Sequence, residues 1–385
     1  MSSKKLVADA QVFLVSKDVI LKEMEIHKLT DFSKESFGGN ASFLGGVFVR
    51  FKKLLQEKSF IDGIAYYLNL KKKSADVETP VYDAFWNDYK LFDELSNYYG
   101  NQYRGSFIFN YLMGAFAVFV ALVPVGFAFE HNFGHNAHHY ELLFTAIELV
   151  VILTILLVYH IGAKPHGLHQ SRSILGIRLN RRWHERWIEY RILAERFRYM
   201  EILYPIGINP QVEGSARKED LGDWTNAYYA MRLDQQKIER TQDMAAYKAK
   251  LMSVMKAQSD YHYKDTHRSE HIHHRLHTFA TWLFYGTLVA CASHFVWHNA
   301  ILTLASGFFP ALAAAMHGIL ASGEFNTLAD ISNQMHGRIN KLVQKLEGNA
   351  NEDEIRSIAI DFHNIVIGEA LKWKSMFKDK NVPLA

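Results

Sequence analysis

Four stretches of the chain are apolar almost without interruption. Phe107 to Phe129, Thr278 to Trp297 and Ala300 to Ser322 contain no Asp, Glu, Lys or Arg, and Leu142 to Ile161 contains one, Glu148. A helix of about 20 apolar residues crosses a hydrocarbon core roughly 30 Å thick. Four such runs in two close pairs predict transmembrane helices in two hairpins rather than core helices of a soluble protein. Outside them the pattern turns amphipathic. Phe85, Tyr89, Phe92, Leu95 and Tyr99 recur at three- and four-residue spacing and predict a helix from Val81 to Arg104 that leads into the first span. A second helix is expected from Asn180 to Tyr204, ended by Pro205. A third, from Trp224 to about His262, is polar enough to project into water or pack on another subunit. Glu324 to Leu346 and Asp353 to Phe377 predict two more, divided at Gly348-Asn349. Residues 1–80 are mixed. Gln11 to Val15 would suit a short strand, Gly38-Gly39 and Gly45-Gly46 punctuate the stretch, and Lys71-Lys72-Lys73-Ser74 reads as a solvated linker.

The expected fold class is therefore all-α: an integral membrane protein with four spans and a helical cytoplasmic insert. The divisions are an N-terminal region (1–80), a lead helix and first hairpin (81–163), the insert (164–277), the second hairpin (278–322) and C-terminal helices (323–385). Charge sets the orientation. The short links Glu130 to Glu141 and His298-Asn299 carry no Lys or Arg, whereas Lys164, Arg172, Arg178, Arg181, Arg182 and Arg186 follow directly on the second run. Lys and Arg are retained on the cytoplasmic side, so both termini and the insert are expected there. Tyr140, Tyr159, Trp282 and Trp297 lie near the ends of the spans, where aromatic residues anchor helices.

Composition narrows the chemistry. The 385 residues hold 43 Lys+Arg against 40 Asp+Glu, which argues against a strongly basic nucleic-acid-binding chain. The single cysteine, Cys291, excludes an intramolecular disulfide framework and any multi-cysteine metal site. The mean hydropathy of -0.11 averages over segregated blocks. Histidines cluster twice, as His131, His135, His138 and His139, and as His267, His271, His273, His274 and His277. Imidazole is a common transition-metal ligand, and membrane desaturases carry similar boxes. The expected topology puts the two clusters on opposite sides of the membrane, which argues against a shared metal centre. A cytoplasmic site joining His160, His166 and His169 to the second cluster stays open. No nucleophile motif, phosphate-binding glycine loop or dinucleotide fingerprint is present, so neither enzyme activity nor a cofactor is expected.

Glu148 is the one carboxylate inside a span, where a charge costs several kcal/mol unless it meets a cavity, a partner or a pore. His317 is the candidate partner if their depths match. Pro310 interrupts the fourth apolar run, and Ala311 to Ala315 with Gly318 permit close helix approach. Four spans are too few to enclose a private aqueous path. A conducting form would be a homo-oligomer with a ring of Glu148 at its axis, and Glu148, His160, Pro310 and His317 are the pore or gating candidates. The helix carrying Trp183, Arg186, Trp187, Tyr190, Arg191, Glu195 and Arg198 follows the second span closely and is the candidate coupling element.

The segment Trp183-His-Glu-Arg-Trp-Ile-Glu-Tyr-Arg-Ile-Leu-Ala-Glu-Arg-Phe-Arg198 resembles SLOG-associated, SLATT-type bacterial membrane effectors. Phe92 to Arg104, Phe309-Pro-Ala-Leu-Ala-Ala-Ala and Glu324-Phe-Asn-Thr-Leu-Ala fit the same pattern, so the resemblance covers roughly 85–345. It implies a pore-forming effector of the bacterial inner membrane, in anti-phage or other conflict systems, partnered by the bilayer and by a nucleotide second messenger or a separate sensor protein. No complete nucleotide-binding domain is legible at the N-terminus, and the resemblance supplies no catalytic residues. A histidine-box metalloenzyme and a non-conducting membrane scaffold are the alternatives.

Overall fold

The computed structural model describes residues 25, 28, 29, 32, 42–56, 83–162, 173–174, 177–178, 182–208, 223–235, 241, 243–297, 299–377 and 380–384. The strand expected at Gln11 to Val15, the linker at Lys71 to Ser74 and the pair Gly38-Gly39 lie outside these residues. Apart from a two-residue antiparallel ladder, β1 (Ser173–Ile174) with β2 (Ile177–Arg178), the regular structure among the described residues is helical.

Helix α1 (Phe43–Gln56) runs through Gly45-Gly46, which the sequence suggested as a break. The Ser42 hydroxyl accepts from the Gly45 N–H at 3.1 Å and caps the first turn. The expected lead helix and the first apolar run form one 44-residue helix, α2 (Asp83–Gly126). A short α3 (Phe129–Phe133) and a 3₁₀ turn (Gly134–Asn136) lead into α4 (Ala137–Gly162). Next comes α5 (Trp183–Leu203), stopped by a 3₁₀ turn around Pro205 as its sequence predicts.

The helix expected from Trp224 to His262 is instead two. Helix α6 (Trp224–Asp234) is capped by Asp223, whose side chain accepts from the Thr225 N–H at 2.8 Å. Helix α7 (Met244–His294) is capped by Asp243, which accepts from the Ala246 N–H at 2.9 Å, and it extends for 51 residues. An acidic residue at each N-cap satisfies orphan N–H groups, which is why two starts are stable where one was expected. Helix α8 (Ala300–Gly323) runs through Pro310 and is capped by Asn299. Glu324, at φ 50°, turns the chain into α9 (Phe325–Glu347), and α10 (Glu352–Phe377) follows.

Three segments are long and apolar enough to cross a membrane: Phe85–Gly126, Phe129–Gly162 and Ala300–Glu347. The remaining expected run forms the last turns of α7, where Trp282, Tyr285 and His294 dilute its apolar character.

Helix α2 is the hub, packed against α1, α4, α5 and α8, while α7 packs along α8 and α9, and α10 against α5 and α9. This gives two layers. In the apolar layer, small residues let backbones approach: a Cβ at Gly318 would meet the Tyr111 ring at 2.4 Å, and one at Gly307 would meet Leu122 at 2.5 Å. The polar layer has an aromatic core built on Phe85, Phe92, Phe197 and Trp224. Helix α5 lies inside it, buried on nearly every turn despite its charges. Helix α6 is buried too, with Trp224, Tyr228 and Tyr229 in the core rather than facing water or another subunit.

Candidate functional site

Burying a charged helix such as α5 requires partners for its charges. Lys28 supplies one: its Nζ lies 2.8 Å from Glu189, 2.9 Å from Glu185 and 3.0 Å from Glu25. Burial works against this ammonium, but Glu189 and Glu185 outweigh it and hold its pKa well above the usual range. Asp88 on α2 takes a forked contact from Arg232 at 2.7–3.1 Å and a hydroxyl from Tyr228 at 3.0 Å, which ties α6 to the hub.

The charges toward the apolar layer are arranged differently. Where α1, α2, α5, α7, α8, α9 and α10 converge, they leave a cavity of about 240 Å³. Five cations line it, Lys52, Arg104, Arg191, Arg198 and Arg268, against three carboxylates, Glu195, Asp265 and Glu369. Arg191 lies 2.5 Å from Glu195, Arg198 lies 3.8 Å from the same carboxylate, and Arg268 lies 3.4 Å from Asp265. Burial, with Glu195 nearby, pushes the Glu369 carboxyl up to about 7. Its neighbour His262 (Nε2 3.5 Å from Glu369) is pushed down to about 4 by burial. At neutral pH His262 is uncharged, and its Nδ1 is buried with no hydrogen-bond partner among the described residues.

Four members of the expected coupling helix, Trp187, Arg191, Glu195 and Arg198, line this cavity. The other three bind the surrounding structure. Arg186 donates to the Tyr99 hydroxyl at 2.7 Å, and Tyr190 packs in the core with its ring tilted against those of Phe92 and Tyr99. Trp183 packs on Gly162, where a Cβ would meet its ring at 2.5 Å, so the end of α4 and the start of α5 are in direct contact.

The candidates in the apolar layer stand apart from one another. Glu148 is half-buried on the stripe of α4 that carries Phe144, Val151 and Ile155, the face turned to α2. It has no hydrogen bond or ion pair among the described residues. The expected pairing with His317 is not made. His317 faces α7, with its ring 6.1 Å from that of His277, which stacks in turn on His273 at 6.3 Å. Pro310 lies inside α8, and His160 is exposed at the end of α4 beside Tyr159.

His267, His271 and His274 are exposed along α7, with His267 3.6 Å from Glu270. His131, His135, His138 and His139 lie past the far end of α2. From Tyr111, level with Gly318, to Gly126 that helix is about 22 Å long at 1.5 Å per residue. The two histidine clusters are therefore at opposite ends of the apolar layer, and His166 and His169 lie outside the described residues. Among the described residues no group of three or more His, Cys, Asp or Glu is placed to hold a metal ion.

Sequence reasoning missed Lys28, Lys52, Asp88, Arg104, His262, Asp265 and Glu369. A usable signal was the run of Glu185, Glu189, Arg191, Glu195 and Arg198 on a helix dense in aromatic residues, because a buried helix of that composition demands charged partners elsewhere in the chain. No known protein family, curated protein or solved structure matches the chain.

Proposed function

We propose that this chain is a bacterial inner-membrane effector that conducts ions as a homo-oligomer under the control of its cytoplasmic helices. The observation that carries the reading is that α2 and α7 each run without a break from the polar layer into the apolar one, flanking the charged cavity at the junction. A change at the cavity reaches two spans through helical backbone. In this reading α2, α4, the end of α7 and α8 are four spans. The α7 run is included because Trp282 (68% exposed), Phe284 (66%), Leu288 and Val289 present an outward apolar face that water would not stabilise. The resemblance to SLATT-type effectors supports assigning the protein to anti-phage defence.

Topology is tested by thiol labelling in a Cys291→Ala background. Asn136→Cys is expected to react with an impermeant reagent added to intact cells, and Asn349→Cys only after lysis. Labelling of Asn349→Cys from outside would invert the reading.

Conduction rests on Glu148. A carboxyl on a span seam without a polar neighbour is costly, and a second copy or a water-filled path would remove that cost. In proteoliposomes the oligomer is expected to carry a cation flux that Glu148→Gln abolishes or shifts in ion preference, with the oligomeric mass unchanged. Equal flux in both proteins would remove Glu148 from the path. A monomer without flux in native lipid would overturn the pore.

A further inference from the structure

Within the cavity the charges do not balance. The carboxylates Glu195 and Asp265 answer Arg191, Arg198 and Arg268, and Glu369 faces His262. Lys52 and Arg104 are left over. Among the described residues, neither has a carboxylate within ion-pair distance; Asp265 acts on both from farther off, and their close contacts are aromatic rings. The Arg104 guanidinium lies 4.9 Å from the Phe48 ring centre and 4.5 Å from that of Trp187, and the Lys52 ammonium lies 5.9 Å from Phe48. Both cations therefore flank one ring, on the wall of one cavity. A cation–π contact is worth about 0.5–2 kcal/mol, less than the hydration that a partly buried guanidinium and ammonium give up.

We propose that this cavity binds a small phosphoryl-bearing anion, gripped by Arg104 and Lys52. With Glu369 ionised the lining carries a surplus of two positive charges, enough for a phosphate monoester dianion and more than the single charge of a phosphodiester. A guanidinium fork paired with an ammonium point charge is a donor set suited to phosphoryl oxygens. His262 also lines the cavity. Burial, with Arg104 and Arg268 as like-charged neighbours, lowers the Lys52 ammonium to about 8, a repulsion that an anion would relieve. Phe107, Ser322 and Gly323, at the ends of two apolar runs, also line the cavity, so the phosphoryl group could arrive on a soluble molecule or on a lipid headgroup.

The assignment deepens the function proposed above by naming the class of its signal. It is tested by binding alone, so a failed flux experiment does not bear on it and failed binding does not bear on conduction. Intact protein in neutral, phosphate-free detergent is titrated with inorganic phosphate, adenosine monophosphate and, as the uncharged control, adenosine. In parallel, the lipid retained after purification from phosphatidylglycerol and from phosphatidylcholine bilayers is measured by phosphorus content. The expected result is saturable binding of a soluble phosphate species without binding of adenosine, or selective retention of phosphatidylglycerol; the arm that responds identifies the source. Binding should weaken by about tenfold or more in Lys52→Gln and in Arg104→Gln, the loss of one charged hydrogen bond. Arg104→Lys should recover part of the loss, and Lys264→Gln, outside the cavity, should change nothing. Because Arg104 also packs on Trp187, the Lys52→Gln variant decides the case if Arg104→Gln fails to fold. No binding in either arm, or binding indifferent to Lys52→Gln, would overturn the assignment.

Discussion

Lys28→Met is expected to cost about 3–5 kcal/mol of stability, the range for stripping one partner from a buried ion pair. One ammonium, 8% exposed, answers three carboxylates, and removing it leaves Glu25, Glu185 and Glu189 facing one another with little water and with Arg182, 3.5 Å from Glu185, still in place. The network also reaches α6, since Glu25 accepts from the Trp224 N–H at 3.2 Å. Against a total stability of about 5–15 kcal/mol, such a loss would leave the polar layer marginal. Chemical denaturation in detergent, followed by tryptophan fluorescence, measures it. Two controls separate charge from packing. Adding Glu185→Gln and Glu189→Gln to Lys28→Met should restore most of the loss. The defect should also shrink on acidification: burial already pushes the Glu189 carboxyl up to about 7 and Lys28 opposes that rise, so the variant loses stability as pH rises through the raised range and regains it as pH falls. A loss below about 1 kcal/mol, the size of an exposed pair, would mean that water already screens the network.

Gly105→Val should detach α1. A Cβ at Gly105 would lie 1.8 Å from the Leu44 carbonyl oxygen and 2.5 Å from its carbon, and both are backbone atoms that no rotamer change can move. Overpacking of a filled contact costs about 1–3 kcal/mol where neighbours can shift. Here the whole helix must shift. Its departure would take Phe48 and Lys52 out of the cavity wall and break the hydrogen bond from Arg275 Nη1 to the Leu55 carbonyl at 3.1 Å. Protease cleavage within α1 should rise sharply in Gly105→Val. Gly46→Ala is the internal control, because nothing lies within 4 Å of a Cβ at that position. Ala there should be neutral or stabilise by about 0.5–1 kcal/mol, the ordinary advantage of Ala over Gly in a helix. Equal protease resistance in Gly105→Val and the unsubstituted protein would mean that α1 does not dock as described.

Much of the helical framework was legible because local signals decide it. The stripe Phe85, Tyr89, Phe92, Leu95 and Tyr99 is buried as its spacing demanded, Pro205 ends α5, and Gly348 separates α9 from α10. Where the reading failed, a weaker local signal had been passed over. Asp243 marks the start of α7, and Ser42 allows α1 to run through two glycines. The α7 run looked as apolar by its lack of charge as the other three, but Trp, Tyr and His lower its hydropathy, so length and charge alone overstate it. The cavity was illegible for a different reason. Lys52, Arg104, Arg191, Asp265 and Glu369 come from five helices far apart in sequence, and the near-neutral charge of the whole chain conceals a local excess. Glu148 stood out in sequence, but its orientation toward α2 depends on which helix α4 meets.

The unbroken length of α7 has a mechanical consequence. At 1.5 Å per residue its 51 residues form a rod about 76 Å long, with no proline to hinge it. Such a rod passes on tilt and rotation but not stretch. Pivoted near Ile272, where it borders the cavity, it is a lever with a long polar arm and an apolar arm of somewhat less than its length. A tilt that displaces the Met244 end by a few ångströms moves the His294 end the opposite way by a comparable but smaller distance. Displacement is thereby exchanged for force, and the apolar end receives the greater force.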